Sequence, residues 1–194
     1  MFTSVILGAG KSTRMKANKS KLLFNIAGKP VINHILSSLK AAKVKHNICV
    51  INNSSAELIK ILQAEKISFA YQKILDGTAG AVKAALKSKK NSNSKILILC
   101  GDVPFITSSS IKKLVAKLKN HDAVVGTVEL ESPKGYGRIV RVNNKFSSIV
   151  EEKETTPDER QIREVNTGII AIQENVLRKY ISLIKNNNQK KSDY

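Results

Sequence analysis

Near the amino terminus a short apolar run, Val5-Ile6-Leu7, breaks into Gly8-Ala9-Gly10-Lys11-Ser12-Thr13-Arg14-Met15, and Ser20-Lys21-Leu22-Leu23 follows within one loop. A glycine-rich turn leaving a strand brings backbone N–H groups close to an oxyanion, because glycine lacks a Cβ and reaches φ values that other residues avoid. Lys11, Arg14 and Lys21 add positive charge beside those amides, as a polyphosphate needs on its way to a more highly charged transition state. The chemistry this loop suits is phosphate chemistry.

Two further places carry chemically useful residues where a strand should end, and in an open α/β sheet ligands lie outside the carboxyl ends of the strands. After Ile96-Leu97-Ile98-Leu99 comes Cys100-Gly101-Asp102-Val103-Pro104, which delivers a carboxylate to the rim. Mg²⁺ needs only one or two protein carboxylates beside substrate phosphates and water, so Asp102 suits that cation; capping the following turn would suit it equally. The other place is Gln72 to Thr78. A Gln amide donates and accepts at once, matching the imide edge of a pyrimidine, and Gly77 lets a base lie against backbone. Gly77-Thr78 equally fits a plain turn and cap.

Several classes are excluded or disfavoured. A P-loop requires glycine five positions before Gly10, where the chain has Val5, a strand residue. Net charge is +18, but 27 of the 33 basic residues are Lys, scattered among 16 Asn. Aromatics make up 5% with no Trp, which leaves little stacking platform for nucleic acid. A solvated basic surface with incidental anion affinity is expected, with no nucleic-acid partner. No apolar run approaches the roughly 18 residues that cross a bilayer, so no membrane partner is expected, and Met1 to Leu7 lacks a basic leader. The expected location is the cytoplasm. Cys49 and Cys100 sit inside apolar runs and are expected to be buried packing residues. His34, His46 and His121 stand at no metal-ligand spacing to one another.

The elements that must position these residues follow from periodicity. At 194 residues with 42% hydrophobic content, one domain with a sizeable core is expected. Apolar runs alternate with helical patterns, the mark of β-α units on a largely parallel sheet. Strands are predicted at 3–7, 47–51, 68–71, 95–99 and 123–128. Helices are predicted after Pro30, from the face Val31, Ile32, Ile35, Leu36 and Leu39, then around Leu58, Ile59 and Leu62, over Ala79 to Leu86, and around Ile111, Leu114, Val115 and Leu118. Thr107 to Ser110 are capping candidates for the last of these, and Lys112, Lys113, Lys117 and Lys119 should face water. Beyond Ser132 short strands are expected at 139–142, 146–150 and 167–172, then a helix from Glu174 to about Lys185 and a polar end.

The string LGAGKSTRM followed by SKLLFNIAGKPVINHIL resembles the opening of sugar-nucleotide pyrophosphorylases, with Ser12 where that family usually has Gly and no proline just before Lys21. With GYGRIV, IVEEKE and VNTGIIAI at their separations, residues 2 to 188 resemble the uridyltransferase domain of the bacterial bifunctional N-acetylglucosamine-1-phosphate uridyltransferase/glucosamine-1-phosphate acetyltransferase.

The resemblance implies an α/β, Rossmann-like nucleotidyltransferase fold, a mixed and mostly parallel sheet flanked by helices, with a small β-rich sugar-binding subregion. It implies that Leu7, Gly8, Ala9 and Gly10, with Gln72, Gly77 and Thr78, hold a uridine nucleotide. Arg14 and Lys21 would steady its phosphates, Asp102 would bind Mg²⁺, and Gly101, Gly137, Glu151 and Asn166 would hold the sugar phosphate. Taken alone, Glu151 is an exposed acid and Asn166 the start of a turn. The implied reaction joins UTP to N-acetylglucosamine 1-phosphate and releases pyrophosphate. A uridine-nucleotide-binding module without turnover, and a pyrophosphorylase for another sugar, are the alternatives. In the family the domain continues some tens of residues past the point where Tyr194 ends, supplying an Asn that completes the Mg²⁺ site, and a trimerising acetyltransferase domain follows; without these, the chain is expected to be either a fragment or a shortened, inactive relative.

Overall fold

The computed structural model describes residues 2–10, 20–52, 56–89 and 94–184. The strand β1 (Phe2–Leu7) is followed by a 3₁₀ turn, Lys21–Leu23, and a tiny hairpin, β2 (Asn25–Ile26) and β3 (Lys29–Pro30). Then come α1 (Val31–Ala41), β4 (His46–Ile51), α2 (Ala56–Ala64), β5 (Ser68–Tyr71), α3 (Thr78–Ser88), β6 (Lys95–Cys100) and α4 (Ser108–Lys117). The remainder is β7 (Ala123–Glu129), β8 (Arg138–Val142), β9 (Lys145–Val150), α5 (Pro157–Arg160), β10 (Glu164–Gln173) and α6 (Glu174–Ile181).

Eight strands form one sheet in the order β5-β4-β1-β6-β10-β8-β9, with β7 pairing the other side of β10. The pairs β5·β4, β4·β1 and β1·β6 are parallel, as βα crossovers require. All pairings made by β10 and the β8·β9 hairpin are antiparallel. This is the expected mixed sheet flanked by helices, with the antiparallel pairings gathered in its β-rich part.

Strand alternation explains the layers. Ile6, Cys49, Ile51, Leu97 and Leu99 point to the face covered by α1, α2 and α4, while Val5, Ile48, Val50, Ile96 and Ile98 face α3 and α6. Runs buried on both faces read as continuous apolar strings, which is why the parallel strands were legible. In α1 the buried residues are the five expected ones, and the helix starts after Pro30, which ends β3 and is the capping residue. Thr107 caps α4, accepting from Ser110 N, and Lys112, Lys113, Lys117 and Lys119 are exposed.

Two boundaries differ from expectation by three residues or more. The strand expected from Thr167 begins at Glu164, because its first residues pair with β7 ahead of a register shift between Asn166 and Ile170. The last helix stops at Ile181. The helix α5 was not anticipated, although Thr156-Pro157-Asp158-Glu159 forms a complete capping box with Pro in the first turn.

The start of α6 is tied to the rest by Glu174, which is 1% exposed. Its carboxylate accepts from Lys89 Nζ at 2.8 Å, from Ser94 N at 3.0 Å and Ser94 Oγ at 2.8 Å, and from Arg178 Nε at 2.9 Å. Burial pushes the carboxyl upward, but these hydrogen bonds outweigh it and bring it down from 4.5 to about 2. Glu174→Ala should destabilise the fold by about 3 kcal/mol, since it strands buried cationic and N–H donors. The folded state prefers the ionised form, so the contribution is present above the ordinary carboxylate range and is lost as pH falls toward about 2. Urea midpoints of the two proteins should therefore differ at pH 7 and converge in strong acid.

Candidate active site

The parallel pairing of β1 with β6 sets Leu7 beside Cys100, so both strands end at one rim. Gly8 N donates to Val50 O at 2.8 Å and Gly101 N donates to Leu7 O at 2.9 Å, which draws the loops after β1, β4 and β6 together. Ala9 is buried, its carbonyl accepting from Asn52 Nδ2 at 2.9 Å, and Gly10 is exposed. A Cβ on Gly8 would lie 2.5 Å from Leu22 Cδ1, and one on Gly101 would lie 2.6 Å from Leu22 Cδ2 and 2.7 Å from Leu7 O. Glycine is therefore required by close approach at both positions.

Leu22 is fully buried beneath these two glycines, and its neighbour Lys21 projects from the same 3₁₀ turn. Lys21 Nζ donates to Asp102 Oδ2 at 2.7 Å. The Asp102 side chain is 59% exposed, at the rim and not in the interior. Arg14 lies outside the described residues. A carboxylate beside a glycine loop, with a cation on one oxygen, fits an ion that takes one or two protein oxygens and completes its shell from phosphate and water. Among the described residues no three His, Cys, Asp or Glu side chains gather as a tighter metal site would require.

Cys100 is half-buried instead of packed away, in contrast to Cys49 and to the expectation for both. Burial pushes its thiol up, the Asp102 charge adds to this, and Lys21 opposes it. The thiol therefore stays protonated at neutral pH, and its Sγ stands 3.8 Å from Gly168 O.

On the other side of β1, Gln72 N donates to Ile51 O at 2.9 Å. The Gln72 side chain is buried, and its Nε2 donates to Asp76 Oδ1 at 2.9 Å and to Gly77 O at 3.0 Å. Both amide hydrogens are thus spent on shaping the turn that enters α3. Gly77 has φ +89°, and Thr78 opens the helix. Asp76 packs against Gly80, where a Cβ would lie 1.5 Å from Asp76 Oδ1.

The third group reaches this rim through β10. Its carboxyl-terminal half pairs with β6, and its first half pairs with β8 at Val165 and Arg138. Between the halves Gly168 adopts φ +71°, with room for only a hydrogen against Cys100 Sγ. Asn166 Oδ1 accepts from Gly168 N at 2.9 Å, and Asn166 N donates to Gly137 O at 2.9 Å. Gly137 is buried against Glu151, whose Oε1 would be 3.3 Å from a Cβ there, and Glu151 itself is exposed. A continuous chain of contacts therefore runs from Leu7 through Gly101 and Gly168 to Asn166, Gly137 and Glu151. A cavity of about 400 Å³ floored by Phe2, Val44, Ile111 and Val115 lies at the opposite, amino-terminal edge of the sheet, away from these residues.

Sequence reasoning missed Asn52, Asp76 and Leu22. A polar residue directly after the apolar run ending at Ile51 was the available signal for Asn52. Nothing local marks Leu22, whose role is set by which glycines settle on it.

Comparison with known proteins bears on family and fold. Residues 4–160 match the family model of the MobA-like NTP transferase domain. The chain is 40% identical over 193 residues to the bifunctional protein GlmU of Francisella tularensis subsp. novicida, covering 98% of this chain and 42% of that protein. The chain thus spans under half the length of the curated relatives it matches. Among solved structures, a Bacillus anthracis protein described as a glucose-1-phosphate thymidylyltransferase, in complex with sucrose, superimposes with TM-score 0.78 at 22% identity, covering 95% of this chain and 76% of that one. HddC from Yersinia pseudotuberculosis, complexed with GMP-PN, gives TM-score 0.73 at 23% identity, covering 93% and 80%. These two likenesses concern the fold.

The close approach of the loops can be tested with two alanines. Gly101→Ala should lower stability by about 1–3 kcal/mol in urea unfolding, because the Leu7 carbonyl it would meet is backbone and cannot swing away. Gly10→Ala, where nothing lies within 4 Å of the added carbon, should leave the midpoint unchanged.

Proposed function

Because the chain belongs to the MobA-like NTP transferase domain family, we propose that it is a Mg²⁺-dependent nucleotidyltransferase that makes UDP-N-acetylglucosamine and pyrophosphate from UTP and N-acetylglucosamine 1-phosphate. The observation that carries this reading is the meeting of Lys21 with Asp102 at 2.7 Å beside the Gly8 to Gly10 backbone. The 40% identity to a GlmU protein supports the choice of sugar nucleotide over other members of the family.

In this reading the backbone of Leu7, Gly8, Ala9 and Gly10, with Gln72, Gly77 and Thr78, holds the nucleotide. Gln72 has both amide hydrogens engaged, so what it offers a base is its carbonyl oxygen. That acceptor matches the imide N–H of uracil and opposes the acceptor nitrogen at the same place in cytosine. Gly101, Gly137, Glu151 and Asn166 hold the sugar phosphate, with the Glu151 carboxylate suited to accept from sugar hydroxyls. Asn166 has its Oδ1 on Gly168 N, so its NH₂ is the end available to an N-acetyl carbonyl.

The reaction is a displacement at the α-phosphorus of UTP. A phosphate oxygen of the sugar phosphate forms the new O–P bond as the bond to the β-phosphate oxygen breaks, and pyrophosphate leaves with that electron pair. The nucleophile is ionised at neutral pH, so no general base is needed and the work is alignment and charge stabilisation. Lys21 and Arg14 supply positive charge to the phosphates, and Asp102 would hold Mg²⁺. Bound there, the cation would neutralise charge on the triphosphate oxygens.

Purified protein with UTP, Mg²⁺ and N-acetylglucosamine 1-phosphate should release pyrophosphate, measured by a coupled phosphate assay. Asp102→Ala should lower kcat by about 10²–10³-fold, the usual loss of one electrostatic stabiliser, with an unchanged far-ultraviolet circular dichroism spectrum. Calorimetric binding of UTP by the unsubstituted chain without any pyrophosphate release would overturn the reading in favour of a uridine-nucleotide-binding module.

A further inference from the structure

We propose that Arg138 and Glu152 act as a clamp that positions Gly137 and Glu151 and so sets affinity for the sugar phosphate. The proposal rests on the reading that the sugar phosphate lies at Gly137, Glu151 and Asn166.

Arg138 begins β8 and is 2% exposed, the first among the largest fully buried side chains. Its Nη1 donates to Tyr136 O and pairs with Glu152 Oε2 at 2.8 Å. The same Oε2 accepts from Gly135 N at 3.1 Å. One carboxylate therefore holds both ends of the turn Gly135-Tyr136-Gly137-Arg138, in which Gly135 has φ +89°. Glu152 is itself fixed from behind, because its carbonyl accepts from Thr155 Oγ1 at 2.8 Å and Arg160 Nε donates to that hydroxyl at 3.2 Å.

The clamp residues are the immediate chain neighbours of two site residues. Gly137 precedes Arg138, and Glu151 precedes Glu152, while β8 and β9 are in register at Arg138 and Val150. Fixing the ion pair therefore fixes the backbone of Gly137 against the side chain of Glu151, where only a hydrogen fits comfortably between Ile149 and the carboxylate.

Charge balance gives the pair a second consequence. A buried guanidinium must be matched by an anion, and Glu152 supplies it. Glu151 is thereby left exposed to face ligand hydroxyls. Without Glu152, Arg138 would draw on Glu151, the carboxylate adjacent to Glu152 in sequence, and remove it from the site. Arg138 Nε has no hydrogen-bond partner, so the guanidinium still has a donor to offer if its carboxylate is taken away. A buried ion pair is a poor source of net stability, which makes geometry the better account of this one.

Steady-state kinetics of Glu152→Ala should show KM for N-acetylglucosamine 1-phosphate raised by about tenfold, with KM for UTP within about twofold of the unsubstituted chain. Glu152→Gln keeps an acceptor for Gly135 N and should lie between the two. Equal effects on both KM values, or none on the sugar phosphate, would overturn the clamp. Should the unsubstituted chain release no pyrophosphate, the function proposed above fails separately. The clamp is then decided by amide hydrogen exchange over residues 135–138, faster in Glu152→Ala if it exists and unchanged if it does not.

Discussion

Leu22 is the contact through which the hydrophobic core dictates the geometry of the rim. Burying a leucine contributes about 1.5–3 kcal/mol, so the 3₁₀ turn that carries it has one stable seat. That seat is directly under Gly8 and Gly101, each of which would collide with Leu22 if it had a Cβ. Lys21, the preceding residue, has no freedom to wander once Leu22 is seated, and it meets Asp102 from the adjacent strand end. The electrostatic centre is therefore placed by packing, and the two glycines are the condition that lets it be.

The long strand β10 extends the same logic to the second half of the site. One end of it completes the sheet beside β6, and the other carries β8 and β9 beyond the carboxyl end of β6, over the rim. The register shift at Asn166 to Ile170 is where one role gives way to the other. Gly168 makes the bend possible through its positive φ and its contact with Cys100, and Asn166 satisfies the N–H that the bulge frees. A single irregularity thus couples the loops after β1 and β6 to Gly137 and Glu151.

The parallel strands and the helices that cover them were legible because burial on both faces leaves continuous apolar runs separated by amphipathic ones. Thr107 and the lysines of α4 followed from local chemistry alone. The bulge in β10 was not legible, since Asn166-Thr167-Gly168 reads equally as a turn before a strand until β7 and β8 are seen pairing on opposite sides. The same holds for the candidate site. Gly8, Gly10 and Asp102 stood out by type and position, whereas Asn52 acts on the Ala9 carbonyl 43 residues away and Asp76 on the amide of Gln72. Arg138 and Glu152 stand inside the strings GYGRIV and IVEEKE, but burial of the arginine is a tertiary fact.

Three of the ion-paired centres among the described residues differ in a way that suits their places. Glu174 is buried with several donors, and such a network is costly to break, as suits a joint that need never open. Arg138 is buried while its partner is half-exposed, which holds a turn without sealing it. Lys21 and Asp102 are the most exposed of the three, at 24% and 59%. An ion pair in that setting contributes about 0–1 kcal/mol, so under the proposed function exchanging it for a triphosphate oxygen on the lysine and a cation on the carboxylate would meet little resistance. Under the proposed function the pair would separate on ligand binding while the loops that carry it stay where Leu22 has put them.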